Sequence, residues 1–294
     1  MAVYKRTYKV YQGARTPVWS RFAVLTRYSL STLFDSKFFT AYALFCLLPF
    51  LGGIAQIYLA HSQTAQLLLG MRFSSVLRVN NNWFATVLNI QAGFGFILVA
   101  WAAPGMITRD FANQALQLYF SRPLSRTEYI LGKISVLAVL LSCITWIPLL
   151  LLFCLEAQME GHGWGWSNFY LVGSIFVSSW LWIAVISLLA LALSVSVKWR
   201  IAATGLIIAV FFLLPGFGQV FDNILGTHWG YLINLIYVMQ VVWGHLFRIE
   251  PHLRHTLQTD LVPLWSAWAS IVTACLVSLL LLNRRLKARE VERG

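Results

Sequence analysis

The sequence predicts an all-α integral membrane protein with six transmembrane helices and both termini in the cytoplasm. Three observations predict it. Of the 294 residues, 59% are hydrophobic and only 11% charged, with a mean hydropathy of +0.71. That is too little charge to solvate a water-soluble domain. Six charge-free apolar runs are each long enough to cross a hydrocarbon core of about 30 Å, which takes about 20 helical residues. The 22 Lys and Arg residues also alternate by connection, eighteen on one side of the predicted membrane and four on the other. The positive-inside rule places the eighteen in the cytoplasm.

Residues 1–37 form a cytoplasmic N-terminal segment that carries seven of the basic residues. This polar lead is too long for an ordinary signal peptide, so the first apolar run is expected to stay as a transmembrane helix. On a helix over residues 19–34, Trp19, Phe22, Ala23, Leu30, Leu33 and Phe34 share one face. Arg21, Tyr28, Ser31, Thr32 and Asp35 share the other, while Val24 and Leu25 blur the pattern. An amphipathic helix flanked by basic residues is expected to lie in the membrane interface.

A single transmembrane domain over 38–282 comes next, with spans at 38–60, 83–108, 134–155, 169–197, 201–221 and 261–282. Residues 283–294 form a basic cytoplasmic tail. Residues 223–247 also lack Asp, Glu, Lys and Arg, yet a seventh span there would force the basic tail outside. A re-entrant or interfacial helix in the outer leaflet, before span 6, satisfies both constraints. Leu214-Pro215-Gly216-Phe217-Gly218 just upstream is expected to break the fifth span. The break would line a wet cavity or lie buried in protein; a kink that only improves packing is the alternative.

Gln56, Asn89 and Gln91 are the main polar side chains within spans, with interhelical hydrogen bonding as their default role and a pathway lining as the other. Trp180 and Trp182 lie deeper in the fourth span than the interfacial tryptophans; core packing or lipid contact is the plain reading, a substrate surface or subunit interface the sharper one. The four cysteines (Cys46, Cys143, Cys154, Cys275) fall inside apolar runs without disulfide or metal-ligand spacing. All six histidines fall in segments expected to face outward. His252 and His255, three apart, would share a helix face and are the candidate metal ligands, although no carboxylate or thiol set accompanies them. Solvated histidines are the plainer reading.

Residues 109–133 are a polar segment between two spans, built like a docking element. Asp110 and Asn113 can begin a short helix whose later positions include Leu116, Tyr119 and Phe120, and Pro123 ends it. Ser125-Arg126-Thr127-Glu128 matches a capping box and would start the third span.

The stretch Ser121-Arg122-Pro123-Leu124-Ser125-Arg126-Thr127-Glu128-Tyr129, followed by Gly132-Lys133, resembles the ABC-2 type transporter permeases. The match covers about twenty-five residues and extends to the six spans, the cytoplasmic termini and the apolar hairpin before the last span. It departs upstream, where Phe111-Ala112 and Gln114-Ala115 stand in place of further acidic residues. The resemblance implies that Arg109 to Phe120 is a cytoplasmic coupling helix between spans 2 and 3 that docks on a separate ABC ATP-binding subunit. Arg109, Asp110, Asn113 and Gln114 would make polar contacts, with Leu116, Tyr119 and Phe120 packing beneath. Arg122 and Arg126 would bond to the ATPase or to lipid phosphates, and Glu128 belongs to the same motif.

The resemblance also implies a bacterial inner-membrane exporter, acting with a second permease copy or a paralogous permease and with membrane lipids. The alternative use is mechanical transmission to a partner without translocation. The chain has no phosphate-binding loop, since Gly132-Lys133-Ile134 lacks both the upstream glycine and the hydroxyl residue. It therefore carries no catalytic residues or cofactor, and ATP and Mg belong to the partner. The net charge of +12 is spread over short connections, so nucleic acid is not a partner. A non-transporting membrane scaffold is the competing class, but it leaves the 109–133 pattern without a purpose.

Overall fold

The computed structural model describes residues 21–62, 64, 78–112, 125–161, 163–197, 199–226, 228–256, 259 and 261–291. Its helices, in order, are α1 (Arg21–Phe34), α2 (Lys37–Phe45), α3 (Leu48–His61), α4 (Asn81–Ala112), α5 (Arg126–Ile144), α6 (Trp146–Glu160), α7 (Trp164–Ser167) and α8 (Tyr170–Ser196). After these come α9 (Arg200–Leu225), a 3-10 turn (Trp229–Ile233), α10 (Leu235–Leu246), α11 (Pro251–Thr256) and α12 (Leu264–Val291). Six segments are long and apolar enough to cross a membrane: Lys37–His61, Asn81–Thr108, Thr127–Glu160, Tyr170–Ser196, Arg200–Ile224 and Leu264–Arg285. Each overlaps one of the six expected runs, the third being longer at both ends than the expected 134–155. The 12 residues of α10 make a helix of about 18 Å at 1.5 Å per residue, too short to be a seventh.

Four prolines within the spans meet different fates. Pro49 and Pro148 sit at the starts of α3 and α6, where the helix restarts after a break at Cys46-Leu47 and at Thr145. Neither proline can donate a backbone bond to the preceding turn, so spans 1 and 3 are each built from two pieces. Pro104 instead lies inside the continuous helix α4. The carbonyl it cannot reach, that of Ala100, accepts from Thr204 Oγ1 on α9 at 3.1 Å, which satisfies a polar group that lipid could not.

Pro215 also lies inside a continuous helix, because α9 runs to Leu225. The expected break at Leu214–Gly218 is therefore corrected. Contacts with the 3-10 turn hold the end of α9 in place: Asp222 Oδ1 accepts from the Gly230 N–H at 2.7 Å, and Gly218 and Gly230 bring their backbones into direct contact.

The centre of the bundle is α8, which packs against α4, α5, α9 and α12. Its buried face carries Ser174, Ser178, Ser179, Ser187 and Ser194 among Ala and Leu. Lipid tails are as apolar as leucine, so helices in a membrane associate through close packing, which small residues permit. Ser174 Oγ also donates to the Leu246 carbonyl at 2.6 Å, tying α8 to the end of α10. There Ile249 N–H bonds Gly244 O at 2.9 Å and Arg248 N–H bonds His245 O at 3.1 Å. This is the Schellman pattern, with Arg248 in the left-handed position at φ 51°.

The N-terminal helix begins at Arg21 among the described residues, with Trp19 outside them. Its buried stripe is Leu25, Thr26 and Ser29, flanked by Phe22 and Leu33. The expected faces are thus rotated: Leu25 turns inward, while Ala23 and Phe34 are exposed. The reason is that α1 packs on α5, so its inner stripe is chosen by a protein neighbour.

Candidate functional site

The polar junction between spans 2 and 3 is built on the two ends of the 109–133 segment. Ser125 caps α5: its Oγ accepts from the Glu128 N–H at 3.2 Å, and its own N–H donates to Glu128 Oε2 at 2.6 Å. The expected capping box is present, and Glu128 is one of its members. One turn on, Tyr129 is 2% exposed, and a further turn on Lys133 is 3% exposed. Lys133 Nζ lies 2.8 Å from Asp110 Oδ2 and 3.2 Å from Ser29 Oγ, and 5.5 Å from the centre of the Tyr129 ring. The Tyr129 hydroxyl donates to the same Asp110 oxygen at 2.8 Å. A charge this deep needs both a counter-ion and hydrogen bonds, and Lys133 has both.

Between these residues lies Gly132. Thr26 Oγ1 on α1 donates to its carbonyl at 3.1 Å. A Cβ at Gly132 would stand 2.9 Å from Leu25 Cδ2 and 3.3 Å from Phe22 O, so only glycine lets α1 lie this close. The Gly132-Lys133 pair therefore joins α1, α4 and α5 at one point.

Asp110 does not begin a separate helix, because α4 continues through it to Ala112. Its carboxylate, expected to face a partner, is bonded to Lys133 and Tyr129 of its own chain. Asn113, Gln114, Leu116, Tyr119, Phe120 and Arg122 lie outside the described residues; Arg109 and Arg126 occupy the last turn of α4 and the first position of α5. Sequence reasoning passed over Lys133 and Tyr129 as site residues. Their signal was present: Tyr129 and Lys133 are four apart, on one helix face, at the entry to an apolar run.

A second feature is a cavity of about 710 Å³ between α4, α8, α9 and α10, walled by Phe94, Phe96, Ile97, Trp182, Phe211, Phe212, Met239 and Trp243. Asn89 and Gln240 are its polar members, and they also line a smaller hollow of about 180 Å³ that reaches Thr86, Arg254 and Thr259. The combined shape is apolar at one end and polar at the other. In that polar end, Arg254 Nη1 donates to His245 Nε2 at 2.7 Å, which the His245 tautomer allows because Nδ1 donates to Val241 O at 2.9 Å.

Trp182 is buried in the core and faces the cavity, whereas Trp180 is exposed. Gln91 is wholly buried and, among the described residues, both of its amide atoms lack a partner, contrary to its expected interhelical bond. His252 and His255 are exposed on the short α11. The one His/Cys/Asp/Glu cluster of metal-ligating geometry among the described residues is a different one, His61 with Glu156 and Glu160. Its trace in the sequence is the four-residue spacing of the two glutamates, one helical turn apart.

Fold and composition define a multi-pass α-helical membrane protein. The sequence profile described as ABC-2 family transporter protein matches residues 29–285, and the chain belongs to that family of membrane permeases. Proteins of this family are multi-pass proteins of the bacterial inner membrane and lack a nucleotide-binding domain, and no phosphate-binding loop occurs in this sequence. No curated protein matches the chain.

Proposed function

We propose that this chain is the permease subunit of an ATP-driven exporter, worked from the cytoplasm by a separate ATP-binding subunit and paired with a second permease, a copy or a paralogue. The observation that carries the reading is the buried Asp110–Lys133 pair at 2.8 Å. It closes the two ends of the 109–133 segment onto α1. A force on that segment then moves span 2, span 3 and α1 together, as an input from ATP hydrolysis requires.

In this reading both termini are cytoplasmic, and Arg109 to Phe120 is the coupling helix. Asn113 and Gln114 make polar contacts with the ATPase, and Leu116, Tyr119 and Phe120 pack into its cleft. Arg109, Arg122 and Arg126 bond to that subunit or to lipid phosphates. Asp110 and Glu128 hold the frame. Spans 1, 5 and 6 have only 17–22% of their apolar windows buried, which leaves faces for lipid and for the second permease. The cavity, apolar with a polar end, suits an amphiphilic substrate.

The test is a gentle detergent pulldown of the tagged chain with mass spectrometry and an ATPase assay, run on wild type and on Leu116→Arg. A co-purifying ATPase lost in the variant supports the permease reading and the docking helix together. If no ATPase appears while other membrane subunits do, the chain is a non-transporting scaffold.

A further inference from the structure

At the opposite ends of spans 1 and 3 from the Asp110–Lys133 junction, three ligand-type side chains converge. His61 occupies the last turn of α3, and Glu156 and Glu160 occupy the last turns of α6. One donor atom from each lies within 4.8 Å of the other two. The two helices are in intimate contact below them, where Gly53 of α3 leaves room for Leu152 of α6.

Two details separate this cluster from an ordinary surface ion pair. First, Glu156 is 3% exposed and its Oε2 has no hydrogen-bond partner among the described residues. His61 is close enough to act on it through charge but gives this oxygen no hydrogen bond, and a carboxylate oxygen so placed is expensive until a donor or cation meets it directly. Second, His61 Nδ1 lies 3.0 Å from Ile57 O. A carbonyl only accepts, so Nδ1 carries the proton, and Nε2 is the atom aimed at the glutamates, 2.9 Å from Glu160 Oε2. A backbone carbonyl that fixes the tautomer in this way is the usual companion of a metal-bound histidine.

We propose that His61, Glu156 and Glu160 form a binding site for a divalent first-row transition metal that bolts span 1 to span 3. One imidazole and two carboxylates neutralise a 2+ ion. The nitrogen donor favours zinc and its neighbours over magnesium or calcium, which prefer oxygen alone. Three protein ligands leave a fourth tetrahedral position for water. On binding, the metal takes the place of the Nε2 proton that the His61–Glu160 pair holds, and that proton leaves to solvent. Ligands about 2.0–2.2 Å from a common ion sit closer to one another than the present 4.8 Å limit. Glu160, with 51% of its side chain exposed, has the room to turn inward.

The experiment uses the full-length chain in nanodiscs without a polyhistidine tag, stripped with chelator and then loaded with zinc alone. We expect about one zinc per chain after dialysis and a rise in Tm on loading. In Glu156→Gln and His61→Ala, affinity falls at least about tenfold, while His252→Ala binds as wild type does. Cobalt(II) added to the stripped wild type is expected to show the visible bands of tetrahedral coordination, a readout that needs no variant to fold. Substoichiometric zinc with no cobalt bands, or equal zinc in wild type, Glu156→Gln and His61→Ala, overturns the proposal and leaves a plain ion pair.

Discussion

Lys133 Nζ and Asp110 Oδ2 stand 2.8 Å apart although they lie 23 positions apart in sequence. The lysine closes the third span's first turns onto the end of the second, in a site 4% exposed on one side and 14% on the other. Removing one member of such a pair leaves the other charge buried alone, which costs about 3–5 kcal/mol. Lys133→Met is therefore expected to lower the Tm of the detergent-solubilised protein sharply. The double change Lys133→Met with Asp110→Asn is expected to recover part of the loss. A double variant no more stable than Lys133→Met would show that the pair is not what holds the junction.

Gly132 sets how close α1 lies. Gly132→Ala should cost about 1–3 kcal/mol through overpacking, since the new methyl meets Leu25 Cδ2 at 2.9 Å and the Phe22 carbonyl at 3.3 Å. Gly132→Leu should lift α1 off α5 and remove the Thr26 hydrogen bond to the Gly132 carbonyl. Hydrogen exchange over residues 21–34 would report this as faster exchange confined to that helix.

Thr204 and Pro104 should be coupled. In wild type the Thr204 hydroxyl serves the Ala100 carbonyl that Pro104 cannot reach, so Thr204→Val should cost about 0.6–1.7 kcal/mol. In a Pro104→Ala background the helix supplies its own donor, and the same change should cost less. A thermal-denaturation double-mutant cycle measures the difference, and equal costs in the two backgrounds would break the link.

Gly218 and Gly230 should each refuse a side chain. A Cβ on either falls onto the backbone of the other, and a backbone cannot turn aside as a side-chain end can. Gly218→Ala is expected to separate α9 from the 3-10 turn and break the Asp222 bond to the Gly230 N–H. The loss should be at least about 1–3 kcal/mol, read as a lower Tm. Gly216→Ala, which meets nothing within 4 Å, serves as the control.

Arg248 holds a left-handed turn at φ 51° with its guanidinium carbon 4.3 Å from the Tyr170 ring centre. Arg248→Gly should relieve the backbone by about 1 kcal/mol while losing the cation–π contact, worth about 0.5–1 kcal/mol when exposed. The net change in Tm should be small. Arg248→Ala loses the contact and keeps the strain, so it should be the less stable of the two.

Much of the architecture was legible in the sequence because it depends on interactions that are local or set by the solvent. Whether a run of residues crosses a membrane depends on its length and its lack of charge, and all six spans appear where such runs occur. The start of α5 was equally readable, because Ser125 and Glu128 are three residues apart and cap one another without help.

The tertiary structure decided how distant elements meet. A break was expected at Pro215 and none at Pro49 or Pro148, yet α9 runs through Pro215 while spans 1 and 3 restart at Pro49 and Pro148, so a proline in an apolar run does not by itself say whether the helix breaks. Asp110 looked ready for a partner and instead meets Lys133, while Leu25 looked like noise in an amphipathic pattern and proves to be the contact with Gly132. His61 and Glu160 are 99 residues apart and hydrogen-bonded. Solvent and local turns determine the helices from the sequence alone; close packing in lipid, where small residues and buried polar groups select the neighbours, determines which side chains share a site.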